Sequence, residues 1–256
     1  MDILKKPKLE LVQFNNNDIQ GLTDLSASVG WDYDEYEIGT VLSSGIIFGH
    51  KNFDGKIVSS AAIIPYDTKL ASIGMVIVNK EFRGMGLGKD ATKKCIDFAS
   101  SNNSIMLIAT EEGRPLYEKM GFITVDFVHK YLCDNYKPLN KSGGVTIEEF
   151  NGNDLKEILK LDKDAFGDKR SKFLQNRINQ SEKCLVVRDN QANIIGFGIS
   201  ILGPINLMVG PIVAPDAQTA ALIFDRLASR HQGKLRIDVP SGNEEFKFFL
   251  EQRGFK

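Results

Sequence analysis

The chain has 256 residues, of which 42% are hydrophobic and 25% are charged, and its formal net charge is -1. These values are typical of a soluble globular protein with one or two domains. Without a basic excess, composition gives no electrostatic basis for binding nucleic acid or an anionic membrane, and no apolar run approaches the roughly 20 residues that span a bilayer.

Cysteine and histidine usage argues against a disulfide framework and against a metal site. The three cysteines are scattered without CxxC spacing, and the N-terminus lacks the apolar segment of a signal peptide, so we expect a reducing, cytoplasmic setting. The three histidines are isolated and lack metal-ligand spacing. These residues are Cys95, Cys133, Cys184, His50, His129 and His231.

The first half of the chain predicts two helices, then antiparallel strands, then a strand–helix–strand crossover. The Asp54-Gly55 pair between two apolar runs predicts a hairpin, and Gly121 is placed as a helix-ending glycine. Helices are expected over residues 16–29, 33–42, 87–98 and 113–121, and strands over residues 45–50, 56–66, 70–78, 104–110 and 122–132.

A polar segment at residues 133–144 contains Pro138 and a Gly pair, which is typical of a linker. The order of elements then repeats, so we infer an internal duplication. The expected domains are residues 1–137 and 145–256, joined by residues 138–144. In the second half helices are expected over residues 152–166, 216–230 and 243–255, a hairpin over 183–200, and strands over 205–215 and 234–240.

Three glycines stand where the strand at residues 70–78 passes into a helix: Gly84, Gly86 and Gly88. The first N–H groups of a helix have no partner within it and carry partial positive charge. Residues without side chains would let a phosphate approach those N–H groups, and Arg83 and Lys89 flank them with positive charge. Alternatively, the glycines only satisfy the backbone angles or packing of a tight turn.

Two familiar phosphate loops do not fit this segment. A dinucleotide-binding loop needs GxGxxG after a first strand, whereas the spacing here is GxGxG after a later strand. A P-loop needs GxxxxGK followed by Ser or Thr. The segment "GMGLGKD" has one residue too few between its outer glycines, and Asp90 stands in place of the hydroxyl.

The R-x-x-G-x-G pattern of Arg83, Gly86 and Gly88, with "RPLYEKMGF" about thirty residues later, resembles the GNAT acetyltransferase superfamily. The strand "IGMVIV" carries the match as well. The segments "VGWDYDEYE", "AFGDKRSKFL" and "VGPIVAP" extend the resemblance to a two-domain bacterial branch with a C-terminal GNAT-like domain. The implied fold class is α/β, or α+β with a mixed sheet: tandem GNAT folds, each a mostly antiparallel twisted sheet with flanking helices.

The resemblance implies acetyl-CoA as cosubstrate and no metal. The strand end would pair with the pantetheine arm and the loop amides would hold the diphosphate. Tyr117 matches the family's general acid, although a tyrosine at this position could instead pack its ring in the core with its hydroxyl on a backbone carbonyl. The implied cofactor-binding residues are Val76, Ile77, Val78, Arg83, Gly84, Met85, Gly86, Leu87, Gly88 and Lys89.

Two positions depart from the family pattern, because Thr110 stands where many members have Asn and Gly113 where some have Ala. The general base is open. Glu111 and Glu112 follow a strand end that should face the thioester, yet each could equally be a solvated surface acid. Further residues expected on the acceptor side are the acids Asp32, Asp34 and Glu35 and the aromatic residues Trp31, Tyr33 and Tyr36, which could instead form an aromatic core.

The second domain is expected to be degenerate. Its loop reads "APDAQTAAL", Asp216 at the helix start would repel a phosphate, and Leu250 aligns with Tyr117. The segment "FGDKR" is a candidate contact, or else a helix end with Gly167 as its cap. One or two further strands would follow Phe255 in the family fold, so we expect them to be missing or replaced by a neighbouring domain.

The sequence thus predicts an N-acetyltransferase whose N-terminal domain transfers acetyl from acetyl-CoA to an amine, in a protein that is a monomer or a homodimer. A near-neutral surface favours a small-molecule amine and no nucleic acid or membrane partner. A non-catalytic acyl-CoA-binding sensor is the alternative, and an unrelated nucleotide-binding α/β protein is a second one.

Overall fold

The structure is a computed structural model that describes residues 9–99, 101, 103–139 and 145–256. The described residues form two compact units that divide between Phe122 and Ile123. The N-terminal segment, for which the sequence predicts no signal peptide, lies largely outside the described residues. No helix in the described ranges is long and apolar enough to cross a bilayer.

The first unit contains a five-stranded sheet in the order β1-β2-β3-β4-β5. Strands β1 to β4 are antiparallel, and β5 runs parallel to β4. Its strands are β1 (Glu10–Gln13), β2 (Ile46–Lys51), β3 (Ile57–Pro65), β4 (Leu70–Val78) and β5 (Ser104–Leu107), and its helices are α1 (Ile19–Ser28), α2 (Glu35–Ser44), α3 (Leu87–Phe98) and α4 (Arg114–Lys119).

Helix α3 packs on the sheet of this unit because its apolar residues recur at helical spacing. Ala91 and Cys95 are fully buried and share a cluster with Phe48 of β2 and with Ala61 and Ile63 of β3. The hairpin predicted at Asp54-Gly55 is present, joining β2 to β3. This packing fixes the start of α3 beside the end of β4.

The second unit contains a six-stranded sheet in the order β6-β11-β10-β9-β8-β7. Strands β10 and β11 are parallel, and the other pairs are antiparallel. Its strands are β6 (Val128–Cys133), β7 (Thr146–Glu149), β8 (Lys183–Arg188), β9 (Ile194–Leu202), β10 (Asn206–Val213) and β11 (Lys234–Pro240), and its helices are α5 (Leu155–Phe166), α6 (Ser171–Gln180), α7 (Ala217–Ala228) and α8 (Glu244–Gln252).

Apolar clusters cover both faces of this second sheet. One cluster joins α7 and α8 to the sheet through fully buried residues such as Phe224 and Leu250. The other joins α5 and α6 to strands β8 and β9 through residues such as Ile158 and Phe197. The helix–sheet–helix layering that the family resemblance implies is thus present in this unit.

Strand β6 corrects the expected domain boundary. Residues 122–132 were expected to form the final strand of the first domain, yet β6 pairs antiparallel with β11, from Val128 opposite Pro240 to Cys133 opposite Leu235. The β11 edge thereby gains hydrogen-bond partners, which an edge strand otherwise lacks. The units therefore divide after Phe122 rather than within residues 138–144, and β6 occupies the place of the strands expected to be missing.

The chain around the start of the expected linker is bound to α7. The Tyr136 hydroxyl and the Leu139 backbone N–H both donate to Asp225 Oδ1, at 2.8 and 2.6 Å. The Tyr136 ring also packs edge-on against Phe224 and Phe255. Residues 140–144 of the expected linker lie outside the described residues.

Candidate functional site

The first unit has an opening between β4 and β5. Their parallel pairing runs only from Leu70 opposite Ser104 to Ile73 opposite Leu107. Beyond Ile73, β4 continues to Val78 while remaining paired with β3 on its other side. Strand β5 ends at Leu107, earlier than the expected residue 110. The edge of β4 at Val76, Ile77 and Val78 is therefore free of a neighbouring strand on the β5 side in the described structure.

A β-bulge in β4 lies at the start of this opening. The register between β3 and β4 shifts between Ser60 and Ala62, and Met75 adopts a φ of 49°, which a side chain rarely allows. The Ser60 hydroxyl donates to the Met75 carbonyl at 2.7 Å, within the buried interior. This hydrogen bond holds the bulge in place, and bulges of this kind commonly redirect a strand next to a functional site.

The three glycines after β4 have different structural reasons. Gly84 and Gly86 have φ values of 79° and 84° with open space where a Cβ would stand, so conformation requires glycine there. Gly88 has ordinary angles, but its Cβ would lie 3.3 Å from Val78 Cγ2 and 3.8 Å from Leu116 Cδ2. Packing therefore favours glycine at Gly88, because a Cβ would crowd the Val78 side chain where α3 approaches β4.

These glycines leave a row of backbone donors without partners. Within the described ranges, no backbone or side-chain acceptor receives a hydrogen bond from the N–H groups of residues 84–89, whereas the Asp90 N–H already bonds the Gly86 carbonyl at 3.0 Å. Gly86 is the N-cap of α3 and provides no capping side chain. Unpaired amides at the start of a twelve-residue helix form an environment suited to an anion.

The start of the loop is fixed by Asn79, which sequence reasoning missed. Its side chain accepts from the Glu81 N–H at 3.0 Å, and its own N–H donates to the Val58 carbonyl at 2.9 Å. Asn before a short helical turn is a common N-cap signal, so the sequence did contain an indication of this role.

Positive charge flanks the amides, but one cation is already paired. Arg83 Nη1 donates to Glu112 Oε1 at 2.8 Å, and both side chains are exposed. Lys89 is also exposed. An ion pair between residues 29 positions apart has no local sequence signal, which explains why sequence reasoning treated Glu112 only as a possible base.

Helix α4 carries Tyr117 at the end of the segment that follows β5. The ring is 9% exposed and packs edge-on against Phe122, with centroids 6.0 Å apart. Among the described residues none is hydrogen bonded to the Tyr117 hydroxyl, so the carbonyl-bound alternative is not what the structure shows. Burial raises the pKa of the phenol above its usual value of 10.0, because an apolar surrounding disfavours the phenolate.

Thr110 and Gly113, the two positions that depart from the family pattern, lie next to each other and next to Tyr117. The Gly113 N–H donates to Thr110 Oγ1 at 3.1 Å. A Cβ on Gly113 would lie 3.2 Å from that oxygen and 3.3 Å from Tyr117 Cε2. An alanine methyl at this position would therefore crowd the Thr110 hydroxyl and the Tyr117 ring by a few tenths of an ångström.

The remaining acids and aromatic residues expected near the site are on the surface of the first unit. Asp34 accepts from the Glu37 N–H as the N-cap of α2. Trp31 and Tyr36 are 38% and 70% exposed, and the Trp31 ring lies 6.0 Å from that of Tyr33. These aromatic side chains do not form a buried core. Asp32 and Glu35 extend the same surface, and the exposed Glu111 has no ion-pair partner among the described residues.

The corresponding positions of the second unit have structural roles. Asp216 accepts from the Thr219 N–H at 2.7 Å as the N-cap of α7, and this hydrogen bond holds the pKa of its carboxyl below the usual range. The carboxylate thus occupies the helix start where an anion would bind. Leu250 is fully buried.

The contacts of the "FGDKR" segment likewise have structural roles. Gly167, with a φ of 93°, ends α5 as the sequence alternative predicted. Arg170 donates two hydrogen bonds of 2.8 Å to the buried Asp162. In neither unit do the described residues contain a group of three or more metal-ligating side chains placed to hold an ion.

Both halves of the chain match models of known protein families. Residues 20–122 match a family described as "Acetyltransferase (GNAT) family", and residues 158–256 match "Acetyltransferase (GNAT) domain". An uncharacterized N-acetyltransferase of Bacillus subtilis, YitH, is 38% identical over 247 residues, covering 96% of this chain and 87% of its own length.

Solved structures share the fold. A putative acetyltransferase from Pyrococcus horikoshii has a TM-score of 0.80 at 20% identity, with coverage of 100% of this chain and 88% of its own. A tandem GNAT protein from the clavulanic acid biosynthesis pathway has a TM-score of 0.70 at 12% identity, with coverage of 97% and 95%.

Proposed function

Because the chain belongs to the GNAT acetyltransferase family, we propose that its first unit transfers an acetyl group from acetyl-CoA to an amine. One observation carries the proposal. The unpaired amides of residues 84–89 lie directly after the strand that borders the opening between β4 and β5, in the same unit as the unbonded Tyr117 hydroxyl.

The residues present fit coenzyme A, which supplies the acetyl thioester when bound. The free edge of β4 at Val76, Ile77 and Val78 offers backbone donors and acceptors to the amide groups of the pantetheine arm, as an added strand would. The row of loop N–H groups suits the two phosphates. In this arrangement the first unit holds the thioester in one orientation, and positioning of this kind lowers the entropic part of the barrier.

Tyr117 is the proposed general acid. Its raised pKa keeps the phenol protonated at neutral pH, so it can donate a proton to the departing thiolate sulfur. The ring is held by packing against Phe122 and by the close approach of Gly113, while the hydroxyl has no competing partner. We assign the proton transfer to this hydroxyl.

The amine must lose a proton, and Glu111 is the better of the two candidate bases. Glu112 is paired with Arg83, whose Nη1 already occupies Glu112 Oε1 at 2.8 Å. The acids beside Trp31 are further candidates on the acceptor side. The acceptor is proposed to be a small-molecule amine.

The second unit is proposed to be non-catalytic, consistent with Asp216 and Leu250 standing at the positions that correspond to the anion site and to Tyr117. The strands β4 and β5 that border the opening both belong to the first unit.

Replacing Tyr117 by Phe tests the proposal. With an acceptor found by screening an amine panel for thiol release, we expect Tyr117→Phe to lower kcat by about 10²–10⁴, while the Kd for coenzyme A by calorimetry changes less than about twofold. Tyr131→Phe, which removes a hydroxyl in the second unit, is the matched control and should leave kcat unchanged. Coenzyme A binding without thiol release from any amine would favour the acyl-CoA sensor, and absence of binding would refute both.

A further inference from the structure

The Arg83–Glu112 ion pair joins the chain segment that follows β4 to the segment that follows β5. Arg83 follows β4 and stands directly before the unpaired amides, and Glu112 lies in the turn between β5 and α4. The 2.8 Å hydrogen bond from Arg83 Nη1 to Glu112 Oε1 therefore connects two chain segments on the side where the strands have separated.

The pair places a carboxylate where the site needs positive charge. A guanidinium forms the same forked, charge-assisted hydrogen bonds with a carboxylate as with a phosphate. Arg83 cannot offer its full set of donors to a phosphate while Glu112 holds Nη1. The carboxylate also opposes any anion that approaches the amides of residues 84–89.

The neighbouring Glu111 shows that this arrangement is specific to one of two adjacent acids. Both side chains are exposed and carry the same charge, but within the described part of the chain only Glu112 forms an ion pair. Long-range repulsion should thus be similar for the two acids, whereas competition for the guanidinium belongs to Glu112.

We propose that Glu112 is an internal competitor for the diphosphate of coenzyme A, holding Arg83 until the ligand displaces it and thereby setting the affinity of the site. The inference rests on the proposed function. It assigns to Glu112 a role in cofactor affinity rather than in proton transfer. Because exposed ion pairs contribute little, the effect on affinity is expected to be modest, about two- to fivefold.

Calorimetric titration of the full chain with coenzyme A tests the inference. Glu112→Gln should lower the Kd by about two- to fivefold at low ionic strength, and the gain should fade in high salt because exposed charges are then screened. A purely structural role for the ion pair would predict the opposite, a weaker complex. An unchanged or raised Kd overturns the inference.

Glu111→Gln is the matched control, since it removes the same charge one residue away. Its effect on Kd should be clearly smaller than that of Glu112→Gln. In an Arg83→Gln background the gain from Glu112→Gln should shrink to that of the control, as expected for a double-mutant cycle on a contacting pair. Equal gains in both backgrounds would show general repulsion and overturn the inference.

Dephospho-coenzyme A identifies the phosphate that competes. It keeps the diphosphate and lacks the 3′-phosphate, so the gain from Glu112→Gln should persist with this ligand. A gain seen only with coenzyme A would contradict the assignment to the diphosphate. Failure of the wild-type chain to bind either ligand would instead refute the proposed function, which separates the two failures.

Discussion

Gly86 shows how one residue sets the conformation of the proposed binding loop. It is the N-cap of α3, with a φ of 84°, and its place in the left-handed region turns the chain so that the amides on either side remain unpaired. Alanine would fit the open space around it but not the backbone angle.

We expect Gly86→Ala to weaken coenzyme A binding by about fivefold or more, since a left-handed alanine costs roughly 1–2 kcal/mol and the helix start would relax away from this angle. Gly39→Ala is the control, because Gly39 lies within α2 with no positive φ and open space for a Cβ. It should leave binding unchanged and slightly stabilise the protein. Equal affinity for wild type and Gly86→Ala, measured by calorimetry, would contradict the role of the loop.

The buried phenol of Tyr117 has a consequence for the pH dependence of turnover. A general acid acts below its pKa, and burial raises that of Tyr117 above 10.0. We therefore expect kcat to show no fall due to this group between pH 6 and 9.5, with any alkaline loss appearing only above about pH 10. A decline in kcat below pH 9 that is absent from Tyr117→Phe would count against this assignment.

Sequence reasoning at the scale of single residues depends on local spacing. The glycine pattern, Arg83 and Tyr117 are visible in short motifs, and the structure now gives Gly88 a packing reason distinct from that of Gly84 and Gly86. The Arg83–Glu112 pair was not predictable, because it depends on how β4 and β5 separate.

Strand β4 is the element that gives the site its shape. Its bounds, Leu70–Val78, are those the sequence predicted, yet the bulge within it was not foreseen. Met75 is not a glycine, so nothing in its identity indicates a φ of 49°. The angle is imposed by tertiary structure, including the hydrogen bond from Ser60.

Removing the Ser60 hydroxyl should affect both stability and turnover. Ser60→Ala leaves the buried Met75 carbonyl without its 2.7 Å partner, at a cost of about 1–3 kcal/mol, and frees the bulge to shift. We expect kcat/KM to fall at least tenfold, measured with the acceptor from the amine screen.

Ser59→Ala is the control for this change. Ser59 is buried in the same strand but bonds His50 on the other face of the sheet. It should cost comparable stability in denaturant unfolding while leaving kcat/KM nearly unchanged. Equal losses of kcat/KM in the two variants would show that stability, not the bulge, determines activity.

At the scale of the whole molecule, strand β6 decides where the chain can be divided. The duplication and the two sheets were predictable from the repeated order of elements. The assignment of β6 to the second sheet was not, since pairing with β11 joins residues about 100 positions apart and local pattern gives no register at that distance.

Two fragments of the second unit should behave differently. Residues 123–256 include β6 and should unfold in one cooperative transition and remain soluble. Residues 138–256 lack β6 and also Tyr136, so the β11 edge would be bare and Asp225 of α7 would lose its hydrogen bond from the Tyr136 hydroxyl. We expect the shorter fragment to aggregate or unfold at lower denaturant; equal stability of the two would contradict the importance of β6.

The distance along the sequence between β6 and β11 also has a consequence during synthesis. Translation at about 5–20 residues per second means that β6 leaves the ribosome roughly 5–20 s before its partner. Throughout that interval the nascent strand must avoid pairing with other chains, and Lys130 at its middle is the kind of charged residue that discourages such pairing. The first sheet can close in the meantime, whereas the second must wait for the last fifth or so of the chain.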